Sequence, residues 1–294
     1  MIKLFLGLLY AFSLFASTPS HIVLLGDPHL PGKHLEKKER VLETLNQWSD
    51  VEMVVALGDL CSQTGTREEY ETVKTYFSKL KHPLFPITGN HDFIYEDVLD
   101  ENGKLKHATF ETQMQKLDTF KQTLKLPRLY YTLHKEPYFL IFLSADNPKH
   151  LAELSKEQLA WFESELKTHA TKPTIVFFHA PLEDTLETYK HWVNTPNFVA
   201  QPAKKIKSII AQNPQIFLWM SGHTHTSPLE PSFASAINFY ENRVVNIHNT
   251  DMNKENIWTN SLFLFPDKVV VKTYNHTTHM WLDSLERTFF IPKF

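Results

Sequence analysis

Short apolar runs alternate along this chain with longer stretches whose apolar residues return every third or fourth position, and the two periods predict strands and helices in turn. The predicted strands are 22–25, 53–57, 139–144, 174–178, 216–220, 244–247, 261–265 and 268–273. Helices are predicted over 35–48, 66–81, 109–125, 155–170 and 203–212, the fourth opening on Ser155 and Gln158 at the spacing of a capping box. Several strands are apolar at almost every position, as strands covered on both faces are. Strands and helices alternate through the first two thirds and strands crowd the last third, so a layered α/β sandwich is expected. No linker or repeat divides it.

The first fifteen residues carry one charge, Lys3, followed by an uncharged run of about a dozen residues. Too short to span a bilayer comfortably, this run has the form of a secretory leader, with Ala16 and Thr18 suiting a cleavage after residue 18. The expectation is an exported protein, periplasmic or extracellular, held to a membrane only if the leader stays; residues 19–294 form the working domain. Composition fits a globular chain, 42% hydrophobic and 21% charged over 294 residues. A net charge of −3 offers no basic excess for a nucleic-acid duplex. Cys61, the single cysteine, leaves no disulfide to form and is read as a packing residue.

Gly26, Gly58, Gly89 and Gly222 each stand between an apolar run and a polar residue able to bind metal. In α/β sheets the carboxyl ends of strands share the edge where ligands bind, and glycine lets the chain turn there. The segments Gly26-Asp27-Pro28-His29, Gly58-Asp59, Gly89-Asn90-His91-Asp92, Phe178-His179 and Gly222-His223-Thr224-His225 therefore aim polar groups at one place. Asp27, His29, Asp59, Asn90, His179, His223 and His225 offer seven nitrogen or oxygen donors without a thiolate, a set that suits transition metals. Seven exceed one tetrahedral ion. A second ion needs a bridging carboxylate, and Asp59, alone after its strand, is the natural bridge.

Taken in order, these five blocks resemble the signature of the calcineurin-like metallophosphoesterase superfamily. The segments Tyr130-Tyr131-Thr132, Gln158 to Phe162 and Ile175 to Pro181 are similar to its bacterial cyclic-nucleotide and glycerophosphodiester phosphodiesterase branch. The resemblance implies a four-layer α/β/β/α sandwich with two central mixed β-sheets. It implies two metal ions, divalent or mixed-valence and of the manganese, iron or zinc kind, one held by Asp27, His29, Asp59 and His225 and the other by Asp59, Asn90, His179 and His223. The reaction implied is hydrolysis of small phosphate esters, diesters first, by a hydroxide shared between the ions. A phosphomonoesterase or nucleotide pyrophosphatase on the same site is the near alternative, and a non-catalytic scaffold the remote one. His91 is expected to serve the phosphate or the departing alkoxide, and Asp92 to orient His91. Pro28 and Ala180 depart from the family pattern.

Each block alone has a plainer reading, a turn at a strand end or a satisfied core histidine; it is their ordered recurrence that favours a site. The other histidines are read as surface or packing residues, His248 being the one for which a place near the site is the second reading. Residues 93–126 are expected as an insert able to cover the site. The aromatics Tyr189, Trp192 and Phe198 within 182–202 are expected chiefly as a flap packed on the scaffold, with stacking on a nucleoside or sugar as the other use. Lys33 and Arg67 are read as surface charges rather than phosphate contacts.

Overall fold

The computed structural model describes residues 18–293, so the predicted leader lies, except for Thr18, outside the described residues. Among the described residues, no helix is long and apolar enough to cross a membrane. Among the described residues thirteen strands form two sheets. The first contains β1 (Ser20–Leu25), β2 (Val51–Leu57), β3 (Leu84–Ile87), β10 (Trp258–Leu264), β11 (Lys268–Asn275), β12 (Met280–Trp281) and β13 (Arg287–Phe290), in the order β12-β11-β10-β1-β2-β3 with β13 paired to β11. The second contains β4 (Tyr131–Lys135), β5 (Tyr138–Phe142), β6 (Thr174–Phe177), β7 (Ile216–Ser221), β8 (Phe239–Tyr240) and β9 (Val244–His248), in the order β4-β5-β6-β7-β9-β8. Both are mixed. Strands β1, β2 and β3 run parallel, as do β5, β6, β7 and β9, while β10 lies antiparallel to β1 and to β11, β12 and β13 lie antiparallel to β11, and β4–β5 and β8–β9 are antiparallel pairs.

Alternation along the buried strands divides the side chains among three cores. Ile22, Leu24, Val55 and Leu57 point inward against Leu140, Phe142, Ile175, Phe177 and Met220 of the facing sheet. Their neighbours Val23, Leu25, Val54 and Ala56 point outward onto α1 (Leu35–Gln47) and α2 (Arg67–Phe77), meeting Val41, Leu45 and Val73. On the far side, Phe139, Ile141 and Val176 meet Leu159 and Phe162 of α4 (Lys156–Thr168) and Ile206 and Ile209 of α5 (Ala203–Gln212). The result is the four-layer α/β/β/α sandwich. At about 1.5–3 kcal/mol for each large aliphatic side chain removed from water, these three cores hold the sheets in one register.

Local chemistry differs from the sequence expectation in three places. Strand β3 escapes the pattern because it has four residues with Pro86 inside, and only its place at the sheet edge accommodates a residue lacking an N–H. Ser155 does cap α4, accepting from Gln158 N at 3.1 Å, but Gln158 does not complete the box. Its amide instead clamps both backbone groups of buried Ser144, accepting from its N at 2.9 Å and donating to its O at 2.8 Å. The reciprocal box forms at Thr66 and Glu69, opening α2. Finally, 93–126 is built into the scaffold: α3 (Phe110–Leu124) sends Leu117 and Phe120 into two different cores, and Phe93, Ile94 and Tyr95 are buried ahead of it.

Candidate metal centre

The turns that leave β1, β2, β3, β6 and β7 lie at the carboxyl ends of parallel strands, and they bring together all seven predicted donors. Asp27, His29 and His225 present ligand atoms within 4.8 Å of one another, as do Asp59, His179 and His223; a third group, His29, Asp59 and His91, joins them. Asn90 completes the arrangement, its Oδ1 lying 3.2 Å from His179 Nε2. Five of the seven sit at positive φ, with Asp27 at 38°, His29 at 47°, Asp59 at 51°, His223 at 64° and His225 at 51°. Left-handed backbone at a non-glycine residue costs on the order of 1–3 kcal/mol, and it collects at functional sites because the surrounding structure must enforce it.

The glycines act here chiefly by letting side chains approach. A Cβ on Gly89 would fall 2.3 Å from Asp59 Oδ1, and one on Gly222 would fall 2.6 Å from Asp27 Oδ1. No larger residue fits beside either carboxylate.

Backbone groups set the orientation of each donor. His179 Nδ1 donates to Leu57 O at 2.8 Å, which leaves Nε2 as the free nitrogen 3.3 Å from Asp59 Oδ2. His223 Nε2 donates to Asn197 O at 2.8 Å, which frees Nδ1 in the same way. Such anchoring fixes the tautomer and ring plane of a metal-binding imidazole. The carboxylates are held by amides, Asp27 Oδ2 accepting from His223 N and Asp59 Oδ1 from His91 N, both at 2.8 Å.

Electrostatics mark the cluster as incomplete without a cation. Asp27 and Asp59 are buried, and among the described residues neither has a lysine or arginine partner. Burial drives Asp27 well above the usual carboxylate range, reinforced by Asp59 despite His179. At Asp59 burial acts in the same direction, but the imidazoles of His179, His91 and His29 outweigh it and hold the group well below that range. Burial pushes His29 and His223 down to about 3, so both rings are neutral and available as ligands. Asp27 Oδ1 and His29 Nδ1 are buried without a hydrogen-bond partner, and His29 Nε2 faces His225 Nε2 at 3.3 Å. Converging lone pairs on imidazole and carboxylate fit transition-metal ions and little else.

His91 and Asp92 lie beside the cluster in different roles. His91 is half-buried, with Nδ1 bonded to Gln63 O at 2.6 Å and its ring 5.4 Å from that of Tyr95. Asp92 does not orient it: the carboxylate is fully buried, with Oδ1 accepting from Cys61 N at 2.9 Å and Oδ2 from Gly89 N at 2.8 Å. Asp92 therefore stitches the second motif turn to the third, and burial, aided by Asp59, pushes it up to about 7. Cys61 packs in the helix-side core.

His248 is buried outside the three ligand groups, 3.1 Å from Thr185 O. Lys33 and Arg67 are exposed. The 182–202 segment packs on the site, Phe198 stacking on His223 at 5.1 Å and Tyr189 donating to Thr224 O at 3.0 Å. Sequence reasoning missed three participants. Tyr95 accepts from Asn90 Nδ2 at 3.3 Å, the Asn197 carbonyl holds His223, and Asp251 lies 3.7 Å from His225 Nδ1. Only Asp251 carried a signal, as a carboxylate shortly after an apolar strand, and it lacked the preceding glycine that marked the others.

Residues 20–227 match the family model of the calcineurin-like phosphoesterases. The chain is 23% identical over 178 residues to a 3′,5′-cyclic-nucleotide phosphodiesterase of Nostoc sp., a match covering 60% of this chain and 56% of the relative. It is 25% identical over 171 residues to a probable glycerophosphodiester phosphodiesterase of Arcobacter nitrofigilis, covering 54% and 56%. It thus spans little more than half the length of these curated relatives. Its fold is similar to that of a dimetal phosphatase from Danio rerio, with a TM-score of 0.61 at 14% identity over 94% of this chain and 100% of the other. Because the family match covers most of the chain and contains every turn that carries a gathered donor, this chain belongs to the calcineurin-like phosphoesterase family.

Proposed function

We propose that this protein hydrolyses small phosphate diesters at a dinuclear metal centre. The observation that carries the reading is the convergence of two adjoining donor groups, Asp27, His29 and His225 beside Asp59, His179 and His223. These residues would hold two ions, which when bound would supply Lewis acidity toward the phosphoryl oxygens and lower the pKa of a water. Asp59 groups with His29 as well as with His179 and His223, so it would be the carboxylate shared between the ions. Asn90 adds a neutral oxygen donor to the buried side, so the centre gains a ligand without a further negative charge. His91, with Nδ1 committed to Gln63 O, keeps Nε2 available to bind a phosphate oxygen or to assist the departing alkoxide. Asp92 keeps the Asp59 and Asn90 turns together.

The diester preference rests on the cyclic-nucleotide and glycerophosphodiester phosphodiesterases to which the chain is similar. Its test is a comparison of bis-nitrophenyl phosphate with mono-nitrophenyl phosphate on manganese-loaded protein. Faster cleavage of the diester is expected, and a reversed ratio would establish a phosphomonoesterase instead.

A further inference from the structure

The family match ends at residue 227, yet the turn following β9 is attached along the whole first motif. Met252 N donates to Asp27 O at 3.1 Å. Asn253 Oδ1 accepts from Lys33 N at 2.9 Å and from Lys38 Nζ at 2.7 Å, and the same ammonium donates to His29 O at 2.6 Å. Lys38 is wholly buried on α1, so its bond to His29 O is shielded from water. Gly26 is pressed against the turn so closely that a Cβ would lie 2.4 Å from Thr250 O. The backbone carrying Asp27 and His29 is thus fastened by residues beyond the matched segment.

At the centre of this turn Asp251 is buried, its side chain 5% exposed, with Oδ2 3.7 Å from His225 Nδ1. Its Oδ1 has no hydrogen-bond partner, the Lys254 ammonium standing 3.4 Å off in an ion pair. Among the described residues Asp251 is the one carboxylate on the Nδ1 side of His225, and on the other side of the ring Nε2 lies 3.2 Å from Asp27 Oδ2. His179 and His223 are each hydrogen-bonded to a carbonyl; on the Nδ1 side of His225 the facing group is the Asp251 carboxylate, 3.7 Å away and beyond hydrogen-bond distance.

We propose that Asp251 is a positioning residue of the centre, holding the Nδ1–H of His225 so that Nε2 keeps its lone pair for a metal ion shared with Asp27 and His29. Carboxylate, imidazole and cation in line make the ligand more basic and fix its ring, and loss of such a partner lowers metal affinity by about 10–100-fold. The inference rests on reading the centre as metal-holding, but not on which ester is cleaved.

Its test is manganese uptake by the full chain, followed by equilibrium dialysis and electron paramagnetic resonance, in the wild type, Asp251→Ala and Asp251→Asn. The wild type is expected to take two ions and show a spin-coupled pair. Asp251→Ala is expected to keep one ion at wild-type affinity and to bind the second about 10–100-fold more weakly, replacing the coupled signal by that of an isolated ion. Asp251→Asn falls between them, because an amide oxygen still accepts from Nδ1–H. The melting temperature of the metal-free protein stays the same in all three. Equal affinity for both ions in Asp251→Ala overturns the proposal, as does loss of both together with a drop in metal-free melting temperature, which is the mark of a turn that only packs. Two ions bound without diester cleavage overturns the substrate reading alone, since dialysis counts ions without turnover.

Discussion

The two halves of the centre are built differently. Around Asp59, Asn90, His179 and His223 everything is buried, and both imidazoles are anchored at 2.8 Å by main-chain carbonyls. Around Asp27, His29 and His225 the wall opens: the His225 side chain is 34% exposed, and the group facing its Nδ1 is a carboxylate 3.7 Å away. A carbonyl in a strand end or packed flap cannot move without disturbing the sheet, whereas a side chain on a turn can adjust. The sealed half is held by main-chain groups. The open half is the side that solvent and an ester can reach, and His91 stands at its edge.

Asp59 belongs to both halves, so its loss is the most damaging. Asp59→Asn is expected to cut kcat/KM on the order of 1,000-fold or more, about 4 kcal/mol of transition-state stabilisation, with circular dichroism unchanged. Near-normal turnover would show that the halves do not act as one unit. His91→Asn tests the open edge alone. Removing a positioned proton donor or acceptor lowers kcat by about 100-fold or more, and metal content by dialysis should remain at the wild-type value because His91 is not needed to hold either ion. Metal loss would instead make His91 a ligand, as its place in a third donor group allows.

The smallest effect concerns buried histidines outside the centre, a control for burial without convergence. Burial pushes His248 and His276 down to about 3, so between pH 6.5 and 3 the unfolded chain takes up protons that the folded one refuses. Stability therefore rises with pH across that window, by up to about 1.4 kcal/mol per pH unit for each ring. His276→Gln should remove about 1.4 kcal/mol of the stability gained between pH 5.5 and 7.5 in urea unfolding, while leaving the metal centre intact.

Much of this was legible from residue order. Apolar runs ending in glycine and a donor located Asp27, Asp59, Asn90 and His223, because a strand end and a sharp turn are local events that the period and one residue type reveal. Strand β3 was hidden because Pro86 denies it the strand pattern and only its edge position accommodates it. Asp92 was misassigned for a related reason. Adjacency in sequence suggested His91 as its partner, but the folded turns present the amides of Cys61 and Gly89 instead.

By itself, then, the sequence determined eight of the thirteen described strands, most helix limits, the seven donors and the sheet edge on which they fall, since all of these follow from periodicity, turn chemistry and residue type within a few positions. Only the tertiary structure decided which nitrogen of each histidine is free, which half is sealed, and that Asp251 faces His225. Those depend on contacts between segments far apart in the chain, and no local pattern encodes which carbonyl or carboxylate will be waiting when two sheets close.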